Sequence, residues 1–239
     1  MSCGKRILTW AHLRFKGNAA ASQRGAGDEL CFPSVRRDAY DDALTLREAR
    51  EKYFVANAFG RDGGYGLDWV DVKVGPIPLR IPNTTGRKRA VRFHDLHHTL
   101  TGYRTDFHGE CEIGAWEVAT GCADHWAAWF LNLSTIGSGL LFAAGDVWRA
   151  FVRGRRSANL YRAQFDDALL DRRLGDVRHE LRLAEPAPAA RAVDGVAFAG
   201  WSLAGLALLL IQVVASPLVV PIIALRSRLA PAPPARPQS

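Results

Sequence analysis

From Gly195 to Leu225 the chain carries no charged side chain. Its stretch Val196 to Ser216 is long enough, at about 1.5 Å of rise per helical residue, to cross a hydrocarbon layer of about 30 Å. A core helix this long and this apolar is unusual, so the segment is expected to be a membrane helix. Pro217 and Pro221 are expected to kink or end it, giving one span or a hairpin broken at the prolines. Arg226 and Arg228 follow at once and read as anchors.

A second window, His125 to Gly145, is free of Asp, Glu, Lys and Arg, but Asn132, Ser134, Thr135, Gly137, Ser138 and Gly139 crowd its middle. It reads as core plus a lipid-facing wall, with Trp126, Trp129 and Trp148 suited to a membrane interface. An apolar lining of this kind also suits a long isoprenoid tail. Upstream, Asp41 to Ala58 interleaves Leu44, Leu46, Tyr53 and Phe54 with charges, as an amphipathic helix does. Trp69 to Val74 alternates like a strand, and Pro76, Pro78 and Pro82 then predict an irregular extended arm. Arg87-Lys88-Arg89 reads as a solvated basic turn or, more sharply, as a site for an anionic head group. Residues 153–182, rich in Arg and Asp, read as a mostly solvated helical face.

The chemistry-bearing stretch is His94-Asp95-Leu96-His97-His98, with Glu110 returning after the connection. Residues four apart on a helix lie nearly above one another, so His94 and His98 share a face, and Asp95 is about 60° from His98 around it. His97 falls on the other flank. Gly102 is expected to end this helix and Gly121 a second one, running from about Gly109 to Thr120. Glu110 then lies in the first turn of the second helix, and Glu117, one heptad on, can support the site from behind. Two imidazoles and two carboxylates form a donor set for a divalent metal, against the plain alternative of a surface or core histidine pair. A zinc peptidase needs Glu where Asp95 stands. A histidine-rich di-iron centre needs several clusters, and only His94, His97 and His98 cluster among the 7 histidines.

The string HDLHHTLTGYRTDFHGE, His94 to Glu110, resembles the signature of the coenzyme Q biosynthesis protein 4 family: HDxxH, eleven residues, then Glu. Gly154-Arg155-Arg156 through Asn159-Leu160-Tyr161 to about Leu183 resembles the family's closing helix, so the likeness spans roughly residues 40–183. The resemblance implies an all-helical protein holding one divalent ion, most simply zinc, through His94, Asp95, His98 and Glu110. It implies a role in ubiquinone biosynthesis: removal of the C1 carboxylate from a polyprenylated aromatic precursor, coupled to hydroxylation there. It also implies contact with other enzymes of quinone biosynthesis. Zinc does no redox chemistry, so an oxidation would need another metal or an outside oxidant.

The formal net charge of +7 is nearly all arginine, with no lysine after Lys88. It suits an anionic membrane better than nucleic acid, for which no basic stripe with interleaved aromatics is present. The 4 cysteines (Cys3, Cys31, Cys111 and Cys122) form no CxxC pair, which argues against a structural zinc finger. Cys111 and Cys122 are expected to be buried thiols in a reducing compartment, with Cys111 a lesser candidate ligand beside Glu110. Ile7 to His12, after Lys5 and Arg6, is too short and polar for a signal peptide.

These readings combine into an all-α protein. Residues 1–37 form a loosely ordered N-terminal segment, 38–184 a helical metal-binding domain, 185–194 a linker, 195–225 a membrane segment and 226–239 a disordered tail. The expected activity is metal-dependent C1 decarboxylation or hydroxylation of a polyprenylated quinone precursor at a membrane, a bacterial inner membrane being the expected location. The alternatives are a non-catalytic, metal-stabilised scaffold or lipid carrier for quinone-biosynthesis enzymes, and a metal-dependent lipid hydrolase using Glu117 or Asp106 as base.

Overall fold

The computed structural model describes residues 40–74, 77–184 and 189–229. The expected N-terminal segment 1–37, linker residues 185–188 and the tail from 230 therefore lie outside the described residues, as do Cys3 and Cys31. The described chain is all-α apart from one small hairpin. In order it forms α1 (Leu46–Ala56), β1 (Trp69–Val74), β2 (Ile77–Pro82), α2 (Thr85–Thr101) and α3 (Phe107–Thr120). There follow α4 (Trp126–Phe142), α5 (Ala144–Gly154), the short α6 (Asp167–Leu170) and α7 (Leu174–Glu180), and the long α8 (Ala192–Leu229).

Capping decides where the early helices begin. The Thr45 hydroxyl accepts from Glu48 N, and the Glu48 carboxylate accepts from Thr45 N at 2.8 Å, a reciprocal box that starts α1 five residues later than hydropathy suggests. Thr84 caps α2, which puts Arg87, Lys88 and Arg89 inside its first turns rather than in a solvated turn. Arg87 is buried and donates to Asn83 Oδ1, Lys88 pairs with Asp68, and Arg89 pairs with Asp124. Asp106 caps α3 by accepting from Gly109 N, two residues earlier than expected. Gly102 closes α2 in the left-handed region at φ 76°, as its position predicts.

Three sequence expectations are corrected. The proline-rich arm is a strand: β2 pairs antiparallel with β1, Lys73 opposite Pro78 and Trp69 opposite Pro82. A two-stranded sheet has only edges, and an edge tolerates a residue without an N–H. Residues 153–182 are mostly not helical, and neither is the resemblance's closing helix. A loop carries buried Leu160 and Tyr161 inward, followed by the short α6 and α7. The prolines do not break α8, which runs unbroken through Pro217 and Pro221. The Val213 carbonyl, denied its partner at Pro217, accepts the Ser216 hydroxyl at 2.8 Å instead.

The core lies between α3, α4 and α5, closed by α2 and the 157–166 loop around Trp116, Phe151, Ile113 and Leu96. On the opposite side α8 crosses α4. A Cβ on Gly137 would collide with the Gly205 carbonyl, so glycine is what lets the two backbones meet. Trp129 stacks on Trp201, and Gln212 donates to Ser134 Oγ at 2.8 Å. At its start, α8 is tied to the end of α5 by buried Asp194, which pairs with Arg156 at 2.6 Å and Arg155 at 3.5 Å. Ala192–Arg226 is long and apolar enough to cross a membrane, and none of its most apolar window is buried in the fold. That exposure separates it from a soluble protein's core helix. The second apolar window is α4, whose buried face bears Ala128, Asn132, Thr135 and Ile136, while Trp126, Phe130, Leu141 and Phe142 are exposed. Of the three tryptophans assigned to an interface, Trp129 and Trp148 instead pack on Trp201 and Phe198 of α8.

Two arginines take the last carbonyls of α2. Arg178 donates to Leu100 O and Thr99 O and also holds Tyr40 O and Asp42, while Arg153 donates to Thr101 O. Positive charge at this end also meets the negative pole of the helix. Replacing Arg178 with alanine is expected to lower unfolding stability by about 2–3 kcal/mol, on the scale of charged hydrogen bonds lost at a partly buried site. Urea unfolding followed by circular dichroism measures it.

Candidate metal centre

His94 and His98 come from the third and fourth turns of α2, and Glu110 from the first turn of α3. The tight turn at Gly102 and the Asp106 cap fold α3 back so that Glu110 faces both imidazoles. His94 Nε2 and His98 Nε2 are 3.0 Å apart, and each is 3.5 Å from a Glu110 oxygen. Donor atoms of the three residues lie within 4.8 Å of one another. Bonds of about 2.1 Å to one tetrahedral ion put neighbouring donors about 3.4 Å apart, so the spacing fits a zinc-sized cation. Glu110 Oε2 is buried with no hydrogen-bond partner among the described residues, the kind of orphan a cation satisfies. Glu110 is the most exposed of the three at 14%, so solvent reaches the group from its side.

Both imidazoles are oriented from behind. His98 Nδ1 donates to the Tyr103 carbonyl at 2.8 Å, which Gly102 turns toward it, and its ring stacks on Tyr53. His94 Nδ1 donates to Glu117 Oε1 at 3.0 Å. With Nδ1 used in each case, Nε2 is left for the shared space, the arrangement typical of metal-binding histidines. Glu117, expected to support the site from behind, touches His94 on its Nδ1 side.

Glu117 does more than support His94. His97 Nδ1 also donates to Oε1 at 2.7 Å, while Asn132 Nδ2 and the Tyr161 hydroxyl donate to Oε2 at 2.6 and 2.7 Å. Burial alone would raise this carboxyl's pKa, but the charge of His94 and the donated hydrogen bonds hold it well below the usual carboxylate range. Burial, reinforced by Glu117, pushes the Tyr161 hydroxyl up and keeps it a donor. His97 is no ligand here: its Nε2 accepts from Leu160 N at 3.0 Å, and burial lowers its pKa, so it sits neutral between Glu117 and the loop.

Asp95, the fourth expected ligand, is beside the triad and not within it. Its Oδ2 accepts from the Tyr65 hydroxyl at 2.6 Å and its Oδ1 from Tyr53 at 3.4 Å. The structure thus gathers His94, His98 and Glu110 and places Asp95 in a tyrosine-lined position next to them. Cys111 and Cys122 are buried free thiols as expected. Cys111 packs against Gly139 of α4 and stays outside the triad. Sequence reasoning missed Tyr53, Tyr65, Asn132 and Tyr161, which are remote from the motif. Asn132 left a trace as a polar residue in an apolar window, and Tyr161 as part of the segment that carries the resemblance.

Burial would lower the pKa of His94, but Glu117 and Glu110 outweigh it and lift the value to about 10. Glu110 is held down to about 2, its burial outweighed by the His94 and His98 imidazoles beside it. In the ion-free site, His94 Nε2 therefore carries a proton near neutral pH, and a divalent cation must displace it. Zinc affinity is expected to climb as pH rises toward 10, by up to about tenfold per unit. Competitive chelator titrations between about pH 6 and 8 check this, and a flat profile contradicts it. Glu117→Gln puts an amide donor against groups that already donate. It is expected to weaken zinc binding about 10- to 100-fold, read by the same titration.

In comparisons with known proteins, the chain matches no family model, no curated protein and no solved structure.

Proposed function

We propose that this protein acts in ubiquinone biosynthesis, as a metal-dependent protein working at a membrane on the C1 carboxylate of a polyprenylated aromatic precursor. The reaction class is oxidative decarboxylation with hydroxylation, taken from the family resemblance. The observation that carries the reading is the convergence of His94, His98 and Glu110 from two adjoining helices, at motif positions the resemblance singles out.

His94, His98 and Glu110 would hold the ion, zinc being the simplest choice for this donor set. When bound, a divalent ion supplies a Lewis acid for carboxylate and phenolate oxygens. The chain's own groups do the rest. Glu117 and the Tyr103 carbonyl hold the imidazoles in one tautomer and one plane. The rings of Tyr53, Tyr65 and Phe54 wall the side on which Asp95 stands. Exposed apolar faces of α4 and α8 offer a path for a prenyl tail and contact with membrane lipid. A bacterial inner membrane, reached through α8, is the proposed location.

The donor count weighs between enzyme and scaffold. A structural zinc site is closed by four protein ligands, whereas a catalytic one keeps a position open. With Asp95 engaged by Tyr53 and Tyr65, three donors remain, which supports the catalytic reading over a scaffold or carrier of quinone-biosynthesis enzymes. The hydrolase alternative lacks an available base: Glu117 is fully engaged, and Asp106 caps α3 while pairing with Arg104.

The test is His98→Ala and Glu110→Ala in cells that depend on this chain for quinone. Carboxylated precursor is expected to accumulate several-fold, with protein level and partner association unchanged. Undiminished quinone, with loss only of enzyme assembly, would overturn the catalytic reading.

A further inference from the structure

Most of the arginines in the helical body are spoken for. Arg87, Arg89, Arg153, Arg156 and Arg178 all donate to carboxylates, carbonyls or an amide oxygen. Arg50 of α1 and Arg92 of α2 share a different setting, over one aromatic ring. Among the described residues neither guanidinium donates a hydrogen bond or pairs with a carboxylate; Arg50 is half-buried with its Nε buried and without a partner, while Arg92 is exposed. Both rest on aromatic faces. Arg50 lies 5.6 Å from the Phe54 ring centre and 5.8 Å from that of Phe165, and Arg92 lies 5.5 Å from Tyr65 and 5.7 Å from Phe165.

We propose that Arg50 and Arg92, flanking Phe165, form a binding site for an oxyanion, the carboxylate or phosphate group of a ligand. Two like charges gathered around one ring repel each other, and a buried guanidinium donor without an acceptor is costly. An oxyanion bound by them satisfies the buried Arg50 Nε and offsets the repulsion. Phe54, Tyr65 and Phe165 set the two guanidiniums over ring faces, and the planar fork of each offers paired donors to a carboxylate or phosphate. Phe54 and Tyr65 also touch edge to face, and Phe93 packs edge-on against Phe165, so the rings form one braced cluster. The basic segment expected to bind an anionic head group, Arg87 to Arg89, spends its charges within the fold.

The site also has a direction. Arg92 covers Tyr65, and the Tyr65 hydroxyl donates to Asp95, the neighbour of His94. A ligand anchored by its anion at Phe165 is therefore one aromatic ring away from the residue flanking the candidate metal group. The inference stands on the arginines and rings alone and does not need the metal reading.

Three probes separate the sources of the anion: sodium benzoate for a carboxylate, inorganic phosphate for a free phosphate, and glycerol 3-phosphate for a lipid head group. The full chain in detergent is titrated calorimetrically with each. At least one is expected to bind, and the tightest identifies the source. Arg50→Gln and Arg92→Gln are each expected to weaken it tenfold or more. Arg50→Lys and Arg92→Lys, which keep charge and bulk but lose the planar fork, are expected to weaken it at least threefold with unchanged melting. Glu110→Gln, which impairs the metal triad, is expected to bind the same probe as the parent does. The inference is overturned if no probe binds, if the arginine variants bind as the parent does, or if Glu110→Gln alone abolishes binding.

Discussion

Glu117 is the buried charge around which the site is arranged. Its two oxygens accept from His94 and His97 of α2, Asn132 of α4 and Tyr161 of the loop after α5. Removing a carboxylate from water costs several kcal/mol, and only a full set of donors makes the burial tolerable. That requirement couples four segments. If α4 slid along α3, Asn132 would leave its place; if the 157–166 loop detached, both Tyr161 and the Leu160 N–H on His97 would go. The orientation of His94 is thus a property of the whole helical body and not of the motif alone.

The same body is joined to the long apolar helix by contacts along its length. Asp194 locks the first turn of α8 onto Arg155 and Arg156, Gly137 and Gly205 permit close backbone approach, and Trp129 stacks on Trp201. Because α4 carries both Asn132 on its inner face and the α8 contact on another, a single helix stands between Glu117 and the candidate membrane span. Ser216 repairs the carbonyl freed by Pro217 from within the same turn, which an apolar setting makes more valuable, since no water is there to do it.

The arginines show how composition misleads when read as surface charge. A net charge of +7 suggests a broad basic face, yet many of the guanidiniums close helix ends or pair internally. Arg178 and Arg153 are helix caps contributed from distant parts of the chain, and Arg87 is buried against Asn83. What distinguishes Arg50 and Arg92 is that both, without such a partner, lie over the same Phe165 ring, and no count of residues reveals that.

The sequence alone determined the all-α class, the HDxxH helix with its stop at Gly102, the returning Glu110, Glu117 one heptad later, and the charge-free segment that becomes α8. These are local signals: helical period, a residue that tolerates positive φ, and length against bilayer thickness. It also placed the strand at Trp69–Val74, but not its partner, because antiparallel pairing outweighed what the prolines suggested. Tertiary structure decided what period cannot encode. It turned Asp95 toward Tyr53 and Tyr65 and gave Glu117 donors from three distant segments. It also folded residues 157–166 inward as loop where charge pattern suggested helix. Each of these depends on which buried polar atom finds a partner, and partners remote in sequence leave no periodic mark along the chain.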